Sequence, residues 1–259
     1  MRGFYSFLMK ITYYHFLQVD STNGWAKENS ADFQEDTCYV ISASEQTGGR
    51  GRHKRAWLSP KDVNLYLTFS FFEESLPPFF FSQLACLALK DLLKEEHLAA
   101  FIKWPNDLLI ENKKIAGILT EIQQIEKKEE EKTLYKRLVI LGIGFNVNMT
   151  ENMLQTISQP ATSLFEETKK TYSVPEIRDR FVTQFLHYLE AAKKAKKQEQ
   201  FQKKWVDELE WMKTKEIKVT EHNRVTQGKV DAIFEDGSLL IKTTDGTHQT
   251  ILSGDLFTT

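Results

Sequence analysis

The sequence predicts an α+β main domain followed by a small β-rich appendage. Three observations predict this. Residues 11–145 alternate β-branched and aromatic runs with one long helical stretch. Residues 175–211 keep a helical pattern as one or two helices. From residue 214 short β-rich runs alternate with turn signals at Glu235-Asp236-Gly237 and Asp245-Gly246. The division is drawn between a main domain, 1–211, and a C-terminal domain, 212–259, with a barrel-like character.

Taken in order, residues 11–19 (ITYYHFLQV) read as a strand. Asp20, Ser21, Thr22 and Asn23 offer caps for a short helix over 22–30. Residues 37–44 read as a strand, 46–56 as a loop and 64–72 as an alternating strand. Pro77-Pro78 breaks the chain before a helix over 79–96. Strands follow at 100–104, 107–111, 115–125 and 136–145, with IEKKEEEKTLYK between the last two as a solvated hairpin tip. The run AAKKAKKQEQ reads as a solvated helical face.

The composition is that of an ordinary folded protein: 41% hydrophobic, 27% charged, net charge −2. That balance supplies no global basic field for nucleic acid. The two cysteines, Cys38 and Cys86, match no metal spacing and suggest no disulfide framework. The N-terminal run MRGFYSFLMK is too short to span a membrane. The expected setting is cytoplasmic, with no membrane partner.

Four segments carry chemistry. The first runs from Glu45 to Trp57 and holds Gly48, Gly49 and Gly51 with Arg50, Arg52 and Arg55. Its glycines permit close backbone approach, and its guanidinium groups can pair bidentately with phosphate or carboxylate. On composition alone, an anion-closing loop and an RNA-binding loop are equal readings. Without apolar anchors, the loop is expected to order only around ligand. The second, Lys103-Trp104-Pro105-Asn106-Asp107, sets a cation, an amide and a carboxylate at a strand end; a plain β-turn is the alternative. The third, Lys113 to Glu121, leads a lysine into a strand containing Gly117. The fourth, VILGIGFNVN, invites a dinucleotide-binding reading, which fails because the third glycine and a clean following helix are missing. Asn146 there suits a strand end facing a ligand, its amide reading an adenine edge.

In this order, Ser21-Thr22-Asn23, GGRGRHKRAW, NLYLTFSF, KWPND, KKIAGILTE and GIGFNVN resemble the biotin protein ligase family. The resemblance covers roughly residues 12–150, and the C-terminal segment fits in position and size. It implies a class II synthetase-like mixed sheet with helices and an SH3-like C-terminal barrel. It also implies ATP-dependent biotinylation of a carrier lysine through biotinyl-5'-AMP. Ser21, Thr22 and Gln46 would meet the biotin ring, and Gly49, Arg50 and Arg52 would close over biotin and adenylate. Trp57 would stack near adenine. Lys103 would contact phosphate and the biotin carboxylate. Asn106 and Asn146 would contact the nucleotide, and Lys114 and Gly117 the acyl-phosphate and ring. Lys103, Arg50 and Asp107 are the catalytic candidates, Asp107 as acceptor of the carrier lysine's proton.

The implied ligands are ATP with Mg²⁺, and biotin as substrate, with no metal-binding residues assigned. The implied partner is a biotin carboxyl carrier protein of acetyl-CoA carboxylase or a related carboxylase, and the chain a monomer or homodimer. Some members carry an N-terminal DNA-binding domain; only about twenty residues precede Ser21 here, so a monofunctional ligase without DNA binding is expected. The last strand, SGDLFTT, lacks a basic residue, which weakens the case for a nucleotide contact from the C-terminal domain. That domain is expected to stand apart from the biotin site and to serve transfer to the carrier. The rival readings are a lipoate protein ligase and a non-catalytic biotin or nucleotide sensor.

Overall fold

The computed structural model describes residues 9–129, 132–221 and 224–258. Residues 1–8 of the N-terminal run and residues 130–131 of the charged hairpin lie outside them. A seven-stranded main sheet runs β1 (Lys10–Phe16), β2 (Thr37–Ala43), β3 (Leu65–Phe72), β7 (Lys132–Phe145), β6 (Lys113–Glu129), β5 (Asp107–Ile110), β4 (Phe101–Lys103). β1 and β2 are parallel and the other neighbours antiparallel, so the sheet is mixed as expected.

Strand periodicity sorts the two faces of this sheet. On β3, Leu65, Leu67, Phe69 and Phe71 enter the main core; on β7, Val139, Leu141, Ile143 and Phe145 do. Three helices cover that face: α2 (Pro78–Glu95), α5 (Val174–Ala192) and α6 (Ala195–Leu209). The intervening residues, Tyr66, Thr68 and Ser70 on β3 and Gly142 and Gly144 on β7, take the opposite face. There α1 (Thr22–Glu28) packs on β2, β3 and β7. A smaller cluster of Ala26, Phe33, Tyr39, Ile41, Leu138 and Ile140 closes that side farther along.

Two expectations are sharpened. The hairpin strands run farther into the charged segment than read, since the β6–β7 ladder continues to Glu129↔Lys132. The helical stretch, read as one or two helices, is two, and the break at Lys193 and Lys194 falls inside the lysine-rich run read as one helical face. Short helices α3 (Glu151–Leu154) and α4 (Leu164–Thr168) follow β7. Among the described residues no helix is long and apolar enough to cross a membrane. Cys38 and Cys86 are buried free thiols, and burial pushes Cys38 up to about 12.

The C-terminal strands form an antiparallel sheet in the order β11 (His248–Ile251), β10 (Leu239–Thr243), β9 (Arg224–Ile233), β8 (Glu216–Glu221), β12 (Asp255–Thr258). Its turns fall on the two glycines read as turn signals, Gly237 and Gly246, both with φ +86°. The sheet does not stand apart. Ile217, Val219, Leu239, Ile241 and Leu256 belong to the same core cluster as the helix-covered face of the main sheet. Trp104 Nε1 donates to Gly237 O at 2.7 Å, and Trp211 Nε1 to Ile102 O at 3.2 Å. The residues on either side of Lys103 are thus tied to the C-terminal region.

Candidate active site

A cavity of about 1010 Å³, counted out to its open mouth, lies on the α1 side of the main sheet. Ser21, Thr22, Gln46, Arg50, Arg52, Trp57, Lys103, Asn106, Asp107, Lys114 and Gly117 all line it. Eleven of the thirteen residues singled out from the sequence therefore converge on one space.

One end is neutral and closely hydrogen-bonded. Ser21 caps α1, its Oγ accepting from Gly24 N at 3.3 Å. Thr22 donates twice to Gln46 Oε1, from N at 2.9 Å and Oγ1 at 3.2 Å. Gln46 Nε2 donates to Ser59 Oγ at 3.1 Å, which fixes the amide's orientation. Beneath them Thr68 Oγ1 lies 2.8 Å from Thr22 Oγ1 and 2.6 Å from Asn23 Oδ1, and its single proton serves one at a time. Asn23 Nδ2 donates to Glu121 Oε2 at 2.9 Å, and Glu121 pairs with Lys27 at 2.6 Å. Every member is buried or part-buried, so this end is held before a ligand enters.

The floor is main chain. Gly117 on β6 and Gly144 on β7 are direct cross-strand partners. The Trp57 indole lies over both: a Cβ on Gly144 would meet Trp57 Cε2 at 2.3 Å, and one on Gly117 would meet Trp57 Cζ3 at 3.1 Å. Trp57 Nε1 is buried without a hydrogen-bond partner. A buried donor left open beside the cavity is a place for a ligand acceptor.

The other end is cationic. Arg50, Arg52, Arg55, Lys103 and Lys114 face the cavity against two carboxylates, Asp107 and Asp255. Three of the five cations are engaged. Lys114 Nζ is 2.8 Å from Asp107 Oδ1 and 5.2 Å from the Trp57 ring centre. Arg52 Nη1 donates to Gly254 O at 3.0 Å, and Arg55 pairs with Asp255. Lys103 sits 5.5 Å from the Phe257 ring centre. Burial lowers the Lys103 and Arg52 pKa values, chiefly because charge is poorly solvated there, with nearby Asp107 opposing the shift at both. Lys103 has no ion pair and Arg50 no side-chain partner among the described residues. These two are the cations available to an incoming anion.

Lys103 and Asp107 face each other across the turn Trp104–Asn106, which carries a cis Trp104-Pro105 bond. KWPND is therefore both a β-turn and part of the cavity wall. Asn106 is partly committed, since its Nδ2 donates to Ile118 O. The bulge between Leu108 and Leu109 lets β6 present Lys114 beside Asp107.

Two expected residues are placed elsewhere. Asn146 is 3% exposed; its Nδ2 donates to Thr162 O at 3.0 Å and its Oδ1 accepts from Asn64 at 3.5 Å. Its amide braces the loop after β7 and is turned from the cavity. Gly49 lies behind the wall, where a Cβ would come within 2.7 Å of Ser59 Oγ and Trp57 O. The arginine loop also has anchors that composition hid. Arg50 bridges Ala56, Gly51 N donates to Arg55 O and Trp57 N to Gly49 O, both at 2.8 Å.

Sequence reasoning assigned no site role to Asn23, Ser59, Thr68, Gly142, Gly144 and Gly254–Phe257, and counted Arg55 only among the arginines of its loop. The period-two placement of Thr68 and of Gly142 with Gly144 was the available signal. Nothing local announces Gly254–Phe257, because its neighbours lie some 200 positions away in the chain.

The profile of the Biotin/lipoate A/B protein ligase family matches residues 15–144, and that of the Biotin protein ligase C terminal domain matches 215–257. The chain is 30% identical over 181 residues to Biotin--[acetyl-CoA-carboxylase] ligase of Mycobacterium tuberculosis, covering 67% of this chain and 61% of that one. It is 35% identical over 151 residues to Bifunctional ligase/repressor BirA of Bacillus spizizenii, covering 56% of this chain and 44% of that one. The chain thus spans between about two fifths and three fifths of these curated relatives. Among solved structures, it is similar to the biotin protein ligase from Aquifex aeolicus in complex with biotin and ATP, with TM-score 0.75 and 26% identity, covering 96% of this chain and 99% of that one.

Proposed function

The chain belongs to the biotin/lipoate A/B protein ligase family, and from that premise we propose that it is a biotin ligase that activates biotin with ATP and transfers it to a lysine of a biotin carboxyl carrier protein. The carrying observation is the union in one cavity of a neutral, hydrogen-bonded end and a cationic end. A ureido ring offers N–H donors and a carbonyl acceptor, which suit Thr22, Gln46 and Asn23. The carboxylate and phosphates suit Arg50, Arg52, Lys103 and Lys114.

Biotin's carboxylate attacks the α-phosphorus of ATP, forming biotinyl-5'-AMP and releasing pyrophosphate. Two anions approach, so the barrier carries like-charge repulsion. Arg50 and Lys103, without anionic partners, take the developing charge, and Arg52 and Lys114 extend the field. Trp57, seated on Gly117 and Gly144, walls the reacting centre from water. In the second step a carrier amine attacks the mixed anhydride and AMP leaves. The amine's proton goes to Asp107, the carboxylate on this wall beside Lys103 and Lys114. For magnesium, no group of three acidic, histidine or cysteine side chains gathers among the described residues, and both cavity carboxylates already hold a cation. The side chains do not form a magnesium cage, and no step is routed through the ion.

The family profile also embraces lipoate ligases. A dithiolane ring carries no N–H donor or carbonyl acceptor, so it forms none of the hydrogen bonds that a ureido ring can add to Thr22, Gln46 and Asn23. Incubation with ATP, biotin and a biotin carboxyl carrier domain tests the reading. The expected result is one biotinyl group on one carrier lysine, with equimolar pyrophosphate. Lipoyl transfer under the same conditions, or no pyrophosphate, would overturn it.

A further inference from the structure

Asp255 is out of place by charge: a carboxylate on the wall of a cavity furnished for anions. It opens β12, whose register on β8 is Asp255↔Thr220. The preceding Gly254 is held close, since a Cβ there would lie 2.5 Å from Val219 Cγ1. Asp255 Oδ2 accepts from Arg55 Nη2, and its Oδ1 lies 4.0 Å from His53 Nε2. One residue earlier, Gly254 O accepts from Arg52 at 3.0 Å. The arginine loop meets β12 through three of its own side chains. His53 and Lys54 sit at φ 54° and 58°, a left-handed conformation disfavoured for such residues. A loop bent in this way needs an outside hold to keep its shape.

We propose that Asp255 is a positioning residue that latches the arginine loop, 48–57, across the cavity mouth, so that the C-terminal sheet helps set how long the activated intermediate is retained. The proposal rests on the biotin-ligase reading for its second half only. Arg55 is 55% exposed and Asp255 27%, so the pair is solvent-screened and its effect is bounded. Its removal is worth at most about fivefold, the range of exposed ion pairs. Asp255 does not touch the reacting atoms; it acts through Arg55 and His53.

The test uses the full chain in two arms. In the ligand-free protein, Asp255→Asn should speed hydrogen exchange at the Gly51 and Trp57 amides by about two- to fivefold. Amides of α2 and β3 should not change. Asp255→Glu should restore slow exchange, as should the reversed pair Asp255→Arg with Arg55→Asp. Unchanged loop exchange in Asp255→Asn, or equal acceleration everywhere, overturns the latch. In the second arm, biotinyl-5'-AMP dissociation should accelerate by the same factor; a faster loop with unaltered dissociation overturns the link to retention. If the wild-type chain makes no adenylate, the biotin-ligase reading falls, and the exchange arm still decides the latch.

Discussion

The two ends of the cavity are built by different means. At the neutral end Thr22, Asn23, Gln46 and Thr68 are linked to one another at 2.6–3.2 Å and Ser21 caps the helix that carries Thr22 and Asn23, so the geometry is set by short-range contacts within the main domain. At the cationic end Arg52, Arg55 and Lys103 reach to Gly254, Asp255 and Phe257, and the geometry depends on a second sheet. On the proposed function, the contrast would separate recognition from chemistry: a rigid polar frame to select a neutral ring, and long side chains that change partners easily to meet charge that appears during reaction.

The sharpest break of this contrast is Lys103→Met. Adenylation should fall by about a hundred- to a thousandfold, the loss on removing one charged stabiliser from a transition state, and biotin affinity, which loses only one of several contacts to its carboxylate, should fall far less. Single-turnover pyrophosphate release and biotin titration measure the two halves, and a parallel fall in both would erase the division. Next, Arg50→Ala should release the adenylate roughly ten- to a hundredfold faster, since a charge-assisted hydrogen bond is worth about 1.5–3 kcal/mol. Unchanged dissociation in a pulse-chase experiment would remove Arg50 from the site.

Thr68→Val probes the other end. It deletes the hydroxyl between Thr22 and Asn23 and should weaken biotin by about five- to thirtyfold, with ATP affinity untouched. Calorimetry decides, and an effect on ATP instead would place Thr68 in the wrong half. The smallest effect is from salt. Between about 0.05 and 0.5 M salt, ATP binding should weaken roughly fivefold and biotin binding less than twofold, because only charged contacts are screened. Equal sensitivity would mean that the neutral end is not what holds biotin.

Much of this was legible in the sequence where the signal is local. The alternation of VILGIGF states that both glycines share one side of a strand with Ile140, and that Val139, Leu141, Ile143 and Phe145 take the other, which is how β7 is built. KWPND and the arginine loop were read as site segments, and both line the cavity. Asn146 misled because strand-end asparagines can serve a ligand or a loop, and only Asn64 and Thr162, distant in sequence, decide between them. The arginine loop looked unanchored because its bridge and its partners on β12 have no compositional trace. The C-terminal segment looked like a separate module for the same reason: its turns are local, but its contacts to Trp104 and Arg52 are not.

The paired glycines under Trp57 also bear on which unnatural ligands this protein can be made to accept. Glycine is the smallest residue there is, so nothing can be pared from Gly117 or Gly144 to admit a bulkier analogue. Substitution at either position only raises the floor, beginning with an alanine methyl that meets the indole. Added room must come from the ceiling, by shortening Trp57 itself. On the proposed function, the ring that would wall off the reacting centre is therefore also the part that an engineer seeking a wider ligand range would have to give up.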